Sequence, residues 1–267
     1  MLDASLPILS RPVVSASTVA YWSLRCGAAL CFIGHGAFGF ITKAAWLPYF
    51  AVAGIPESPA WRMMPLVGAV DVLAGMAVLF APRALPLVYM TIWALWTALL
   101  RPLAGESVFE AMERAGNFGV PLALLVLTGI PRTGRDLLAP LTDTRDENLE
   151  VQVRNVLTWT TCLLLVGHAM LGISSKPMLI EHYAVLGLPP AMAAVIGMFE
   201  LALAAVVAMR PAMTLLFFVA GWKLATESLF ISAGSPVWEL VERAGSVAAP
   251  FALAVLIRNC RTPGCSL

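Results

Sequence analysis

The chain of 267 residues is 60% hydrophobic and only 12% charged, with a formal net charge of +1 and a mean hydropathy of +0.84. A soluble domain carries about 25% charged residues, so the composition excludes an ordinary soluble enzyme. The near-zero net charge argues against a nucleic-acid or acidic partner. The few charges lie between long apolar runs, and about 20 apolar residues let a helix cross the hydrocarbon of a bilayer.

Residues 1–20 are interrupted by Asp3, Pro7, Arg11 and Pro12 and lack the apolar core of a cleaved signal. The first span is therefore expected to direct insertion itself. Eight helical spans are predicted, at 21–42, 63–79, 85–100, 109–130, 156–173, 191–209, 212–231 and 237–257. Helices are the expected element because backbone in lipid must satisfy its own polar groups. Ala81-Pro82-Arg83 and Met209-Arg210-Pro211 are very short connections, as between antiparallel neighbours. The one long polar link, 131–155, holds four arginines and five acids. It divides the chain into a first four-helix membrane unit (1–130), a linker (131–155) and a second unit with a short tail (156–267). Lys and Arg gather on the side of Arg83, the linker and Arg210, against Lys43, Arg62, Arg101, Arg114, Lys176 and Arg243 on the other. That bias places the linker and both termini in the cytoplasm of a bacterial inner (plasma) membrane.

The two units repeat one another. Phe32-Ile33-Gly34-His35-Gly36-Ala37-Phe38-Gly39 matches Leu165-Val166-Gly167-His168-Ala169-Met170-Leu171-Gly172 at an offset of 133, and Lys43 maps to Lys176. Beyond the next loop the offset is 129, pairing Asp71 with Glu200, Trp93 with Trp222, and Glu110-Ala111-Met112-Glu113-Arg114-Ala115-Gly116 with Glu239-Leu240-Val241-Glu242-Arg243-Ala244-Gly245. An even number of spans per copy inserts both copies the same way up, related by a pseudo-twofold axis along the membrane normal. The expected fold is thus an all-α membrane protein of two parallel-oriented four-helix bundles.

In the first copy Leu24-Arg25, Gly34-His35-Gly36, Lys43, Ala53-Gly54-Ile55-Pro56, Asp71 and Gly75 form a pattern that resembles the DoxX/DoxD-like membrane family. The second copy departs from it at Thr158 and Ala204. The resemblance covers the first two spans of each unit. It implies a four-helix bundle per unit and association with oxidoreductase systems, such as membrane subunits of thiosulfate:quinone oxidoreductase or complexes handling oxidative stress.

Candidate functional residues are those the copies share. His35 and His168 sit at equivalent depth, with Gly39 and Gly172 one turn on. They could together ligate a metal or a haem b, or each could hydrogen-bond an intramembrane carboxylate. Asp71 and Glu200 must face the bundle interior, since a charge at the membrane centre costs about 2.5–3.5 kcal/mol on insertion scales. They could exchange a proton beside a quinone, or serve as partners of His35 and His168. With Trp93 and Trp222 these four residues form the candidate cofactor-binding set. Lys223 and Glu227 are one turn apart and form a mutually neutralising pair by expectation, where the first copy has Ala94 and Ala98. Arg101 conversely stands opposite Phe230.

The Glu-x-x-Glu-Arg motifs open the fourth and eighth helices, with Ser107 and Ser235-Pro236 as N-cap signals. Glu110, Glu113, Arg114, Asn117 and Pro121 share one helix stripe, and Glu110–Arg114 reads as an intrahelical ion pair. Two acids to one base in each copy leaves Glu110, Glu113, Glu239 and Glu242 as a cation site if the copies face each other, or as a structural network with Arg114 and Arg243. These residues, with Lys223, Glu227 and Arg101, are the candidate ion or proton pathway. Cys26, Cys31 and Cys162 read as packing residues, Cys260 and Cys265 lie in the tail, and no zinc spacing occurs. Phosphate loops, dinucleotide fingerprints and hydrolase motifs are also absent.

Three functions compete. The first is a membrane subunit of an oxidoreductase or respiratory-type system, binding a quinone or haem between helices and docking a partner enzyme, not catalytic alone. The second is a small-solute or ion transporter, for which helices without a mid-depth break are unfavourable. The third is a ligand-free scaffold, in which His35→Ala and His168→Ala would cost only stability.

Overall fold

The computed structural model describes residues 15–141 and 147–259. The predicted interruptions at Asp3, Pro7, Arg11 and Pro12, together with Arg145, Arg261, Cys260 and Cys265, lie outside the described residues. Within them all regular structure is helical, apart from one isolated bridge between Arg83 and Pro140. The elements are α1 (Ala16–Ile41), a 3-10 turn (Ala44–Trp46), α2 (Leu47–Val52), α3 (Glu57–Phe80), α4 (Ala84–Leu103), α5 (Val108–Glu113) and α6 (Ala115–Thr128). There follow α7 (Gly134–Leu138), α8 (Glu147–Ile173), α9 (Pro177–Val185), α10 (Ala191–Met209), α11 (Met213–Ser232), α12 (Trp238–Glu242) and α13 (Ala244–Asn259).

Six of these, α1, α3, α4, α8, α10 and α11, are long and apolar enough to cross a membrane. Leu66, Leu73, Phe80, Ile92, Val195 and Met209 are exposed on them, an apolar surface suited to lipid rather than water. The chain is a helical membrane protein. Several helices start before their predicted spans: α1 begins at Ala16, where the Ser15 hydroxyl accepts the Thr18 N–H at 3.1 Å, and α3 begins at Glu57. The segment read as a linker is itself partly helical. It contains α7, opened by a Thr133/Asp136 capping box, and the first turns of α8. Two backbone N–H groups, from Arg132 and Thr133, hold the exposed Asp136 carboxyl below its usual range. Arg83 donates to the Leu138 carbonyl and the Leu141 N–H donates to Pro82 O at 2.9 Å, tying this segment to the α3–α4 turn.

The expected continuous helices at 109–130 and 237–257 are each divided, at Arg114 and Arg243. Arg114 has φ −88° and ψ 12°, and Arg243 φ −91° and ψ 10°. Their N–H groups bond three residues back, to Ala111 O and Leu240 O, so the α-helical ladder is broken there. In the first copy the Arg114 guanidinium takes the Glu110 carbonyl that its own N–H would have reached, at 2.9 Å. The breaks coincide with close backbone crossings. A Cβ at Gly167 would overlap the Glu113 backbone, one at Gly34 the Glu242 backbone, and one at Gly116 the Gly245 backbone.

α1 lies along α3 through Gly36, Gly39 and Gly68, and α8 along α10 through Gly172 and Gly197. Small residues permit this approach where lipid supplies no hydrophobic drive. α1 also packs on α12 and α13, the last two described helices, and α8 on α5 and α6. Left-handed residues recur in pairs at the two sequence offsets, namely Thr42 and Ser175, Gly54 and Gly187, and Gly105 and Gly234.

Arg25 is buried on α1 and caps the end of α3, donating from Nε to Val78 O at 2.6 Å and from Nη2 to Leu79 O, with its guanidinium over the Trp22 ring. Thr158, its counterpart, reaches only its own helix, at Arg154 O. Arg25→Met should lower unfolding free energy by about 2 kcal/mol, the scale of lost hydrogen bonds to a charged donor. Thr158→Val should change it far less, as denaturation in mild detergent would read.

Candidate functional site

The polar side chains gather into two cavities joined by a charge network. In the first, His35 of α1 is anchored to Asp71 of α3, Nδ1 to Oδ2 at 2.7 Å. Asp71 is fully buried, and its other oxygen accepts the Tyr89 hydroxyl of α4 at 2.8 Å. The imidazole stacks on Trp46, ring centroids 4.6 Å apart. In the tautomer whose Nδ1–H donates to Asp71, Nε2 is left as an acceptor.

His35 lines a cavity of about 140 Å³, walled by Trp46, Tyr49, Phe50, Trp93, Trp96 and Val67 among others, with Thr97, Arg101, Arg114, Asn117 and Glu242 among its polar members. An apolar cavity of about 150 Å³ takes up a benzene-sized molecule, so this one matches a single six-membered ring. The buried Nε1–H of Trp93 has no hydrogen-bond partner among the described residues. Its counterpart Trp222 donates to Glu200 at 3.1 Å. The difference follows from Asp71, whose shorter side chain is already committed to His35 and Tyr89. Arg101 bonds Glu106 at 3.1 Å and lies over the Tyr49 ring, and the Tyr49 hydroxyl donates to Glu106. Burial, reinforced by that carboxylate, pushes the Tyr49 phenol up to about 12, so it stays a neutral donor at physiological pH.

The second set is arranged differently from expectation. His168 does not pair with Glu200; its Nε2 lies 3.2 Å from Glu227. Lys223 is the reason, standing between Glu200 at 3.1 Å and Glu227 at 3.2 Å. It claims Glu200 with Trp222 and presents Glu227 to the imidazole. Lys223 and Glu227 are each 1% exposed, and Arg243 Nε approaches Glu227 at 3.4 Å. The expected Lys223–Glu227 pair is present, as part of a larger cluster. The cavity here, beside His168, is only about 30 Å³.

Between the cavities the halves exchange ion pairs. Lys176 contacts Glu110 at 2.5 Å, Lys43 contacts Glu239 at 2.8 Å and Arg243 contacts Glu113 at 2.6 Å. Glu110 and Glu113 also bind Arg114 at 3.3 Å each. Three of the four glutamates proposed as a cation site therefore face cations, and the fourth, Glu242, lines the first cavity. Among the described residues no three His, Cys, Asp or Glu side chains could hold a metal ion. Nor are His35 and His168 brought to one ligand, since each binds its own carboxylate and lines its own cavity.

Tyr89, Trp46 and Tyr49 were not anticipated. Tyr89 lies one helical turn before Trp93, a spacing that could have marked it; Trp46 and Tyr49 come from the 3-10 turn and the short α2 after Lys43, too short for a periodicity to point inward. Compared with known proteins, the chain matches no family model, no curated protein and no solved structure.

Proposed function

We propose that the protein is a membrane subunit of an oxidoreductase or respiratory-type system that binds a quinone head group in the first cavity and docks a partner redox enzyme. The observation that carries this reading is a buried Asp71–His35 pair whose imidazole lines an aromatic cavity the size of one ring. A bound quinone supplies reversible two-electron, two-proton chemistry, the electrons passing to or from the partner enzyme. His35 exchanges a proton at Nε2, and Asp71 balances the charge of the imidazolium. Trp46, Tyr49, Phe50 and Trp93 hold the ring and exclude water. The cavity's size and the separation of the two histidines favour a quinone over haem b.

The architecture that supports this function is two four-helix units of DoxX/DoxD-like type, eight spans in all. α5–α6 and α12–α13 then serve as the interrupted fourth span of each unit, and the paired left-handed residues support the duplication. The Lys/Arg bias supports a bacterial inner membrane location with cytoplasmic termini and linker.

Transport is the second reading, favoured by the helix breaks at Arg114 and Arg243, since interrupted helices often carry transporter sites. A reduced-minus-oxidised visible spectrum, with mass spectrometry of the lipid extract, separates the readings. Stoichiometric co-extracted quinone without a Soret band is expected. A Soret band lost in His35→Ala would instead establish haem, and neither chromophore nor quinone would leave transport or scaffolding.

A further inference from the structure

The two cavities are lined by corresponding residues. His35 and Phe50 of the first stand 133 positions before His168 and Tyr183 of the second, and Thr97 stands 129 before Thr226. The first cavity is one space of about 140 Å³. Its counterpart is broken into two pieces of about 30 Å³ each, both bordered by His168 and Phe230. Arg243, the counterpart of Arg114, borders only one piece, and Glu200, Lys223 and Glu227 border only the other.

His168, Leu179 and Phe230 border both pieces, and Lys223 and Glu227 wall one of them. Where the first half has Ala94 and Ala98, buried behind the cavity wall, the second has Lys223 and Glu227, whose longer side chains reach the wall of one piece. Lys223 fills the interior between Glu200 and Glu227, and Glu227 spans from Lys223 to His168 and Arg243, all within 3.4 Å. An alanine at either position reaches none of these partners. Phe230, in place of Arg101, packs against Arg243 and His182 and narrows the same space.

We propose that Lys223 and Glu227 close a second binding site for the same class of ligand, a ring-sized molecule with hydrogen-bond-accepting oxygens, so that a chain built with two such sites holds one ligand. The proposal rests on the reading of the first cavity as that ligand's site. Burying a lysine and a glutamate is unfavourable unless each is paired; Lys223 hydrogen-bonds Glu200, and Glu227 is held by charge contacts with Lys223, His168 and Arg243 without a hydrogen bond among the described residues. The ion cluster thus takes the volume and the polar contacts that a ligand has in the other half.

Equilibrium titration of the purified full-length chain with a short-chain benzoquinone tests this. The wild type should bind one quinone per chain and K223A/E227A two. A folded double variant that still binds one overturns the proposal, as does a wild type that binds two. A wild type that binds none instead overturns the quinone reading itself. Should K223A/E227A fail to fold, the reverse variant A94K/A98E carries the test. Loss of binding in the folded chain supports the plug, and retained binding overturns it.

Discussion

His35→Ala is expected to abolish quinone binding and to destabilise the protein by about 3 kcal/mol, the cost of leaving one member of a buried pair without its partner. Asp71 has no exposure to water, and with the imidazole gone only Tyr89 remains to it. Asp71→Asn separates structure from chemistry. The amide oxygen can accept from His35 while its NH2 donates to the Tyr89 oxygen, so stability should fall by only about 1 kcal/mol and quinone should still bind. The counter-charge for a protonated imidazole is lost, however, so on the proposed reading the pH dependence of quinone binding should change. A merely structural His35–Asp71 pair would leave that profile where it is. Binding of a short-chain benzoquinone to the purified chain, measured across pH, distinguishes the two.

The second large effect is expected at the helix crossings. Gly167 lies against the Glu113 backbone and Gly34 against the Glu242 backbone, in both cases too close for a Cβ. The obstructing atoms are main chain and cannot rotate aside. Gly167→Ala and Gly34→Ala should each cost about 3 kcal/mol, the upper range for overpacking, and should separate the ion pairs that join the halves. Gly221→Ala provides the internal control. Nothing lies within 4 Å of a Cβ there, and alanine is better than glycine in a helix by about 1 kcal/mol. Thermal unfolding in one detergent should place the first two variants well below wild type and Gly221→Ala at or above it. Equal losses in all three would remove the crossings as the origin of the effect.

The long helices were legible because an apolar run of twenty residues has few alternatives in lipid. Repetition made His35, Asp71 and Trp93 stand out together, and the structure joins His35 to Asp71 as one of the two readings anticipated. The Arg114 and Arg243 breaks were not legible. Neither position is a proline or glycine, and Pro121 and Pro250 lie further along within α6 and α13. The breaks arise where another helix presses its glycine against the chain, a tertiary cause that no local pattern records. The pairing of His168 with Glu227 was hidden for a related reason. Glu200 was its natural partner by analogy with Asp71, until Lys223 diverted it. Alignment of the copies also could not reveal that Lys43 binds Glu239 and Lys176 binds Glu110. Similarity within a copy says nothing about which copy supplies the partner.

The first cavity as the ligand site is tested most directly by tryptophan fluorescence, because Trp46, Trp93 and Trp96 line it. Titration with a short-chain benzoquinone should give saturable quenching at one ligand per chain, lost in folded His35→Ala and retained in folded His168→Ala. Quenching that never saturates, or that is lost equally in both variants, would contradict the assignment.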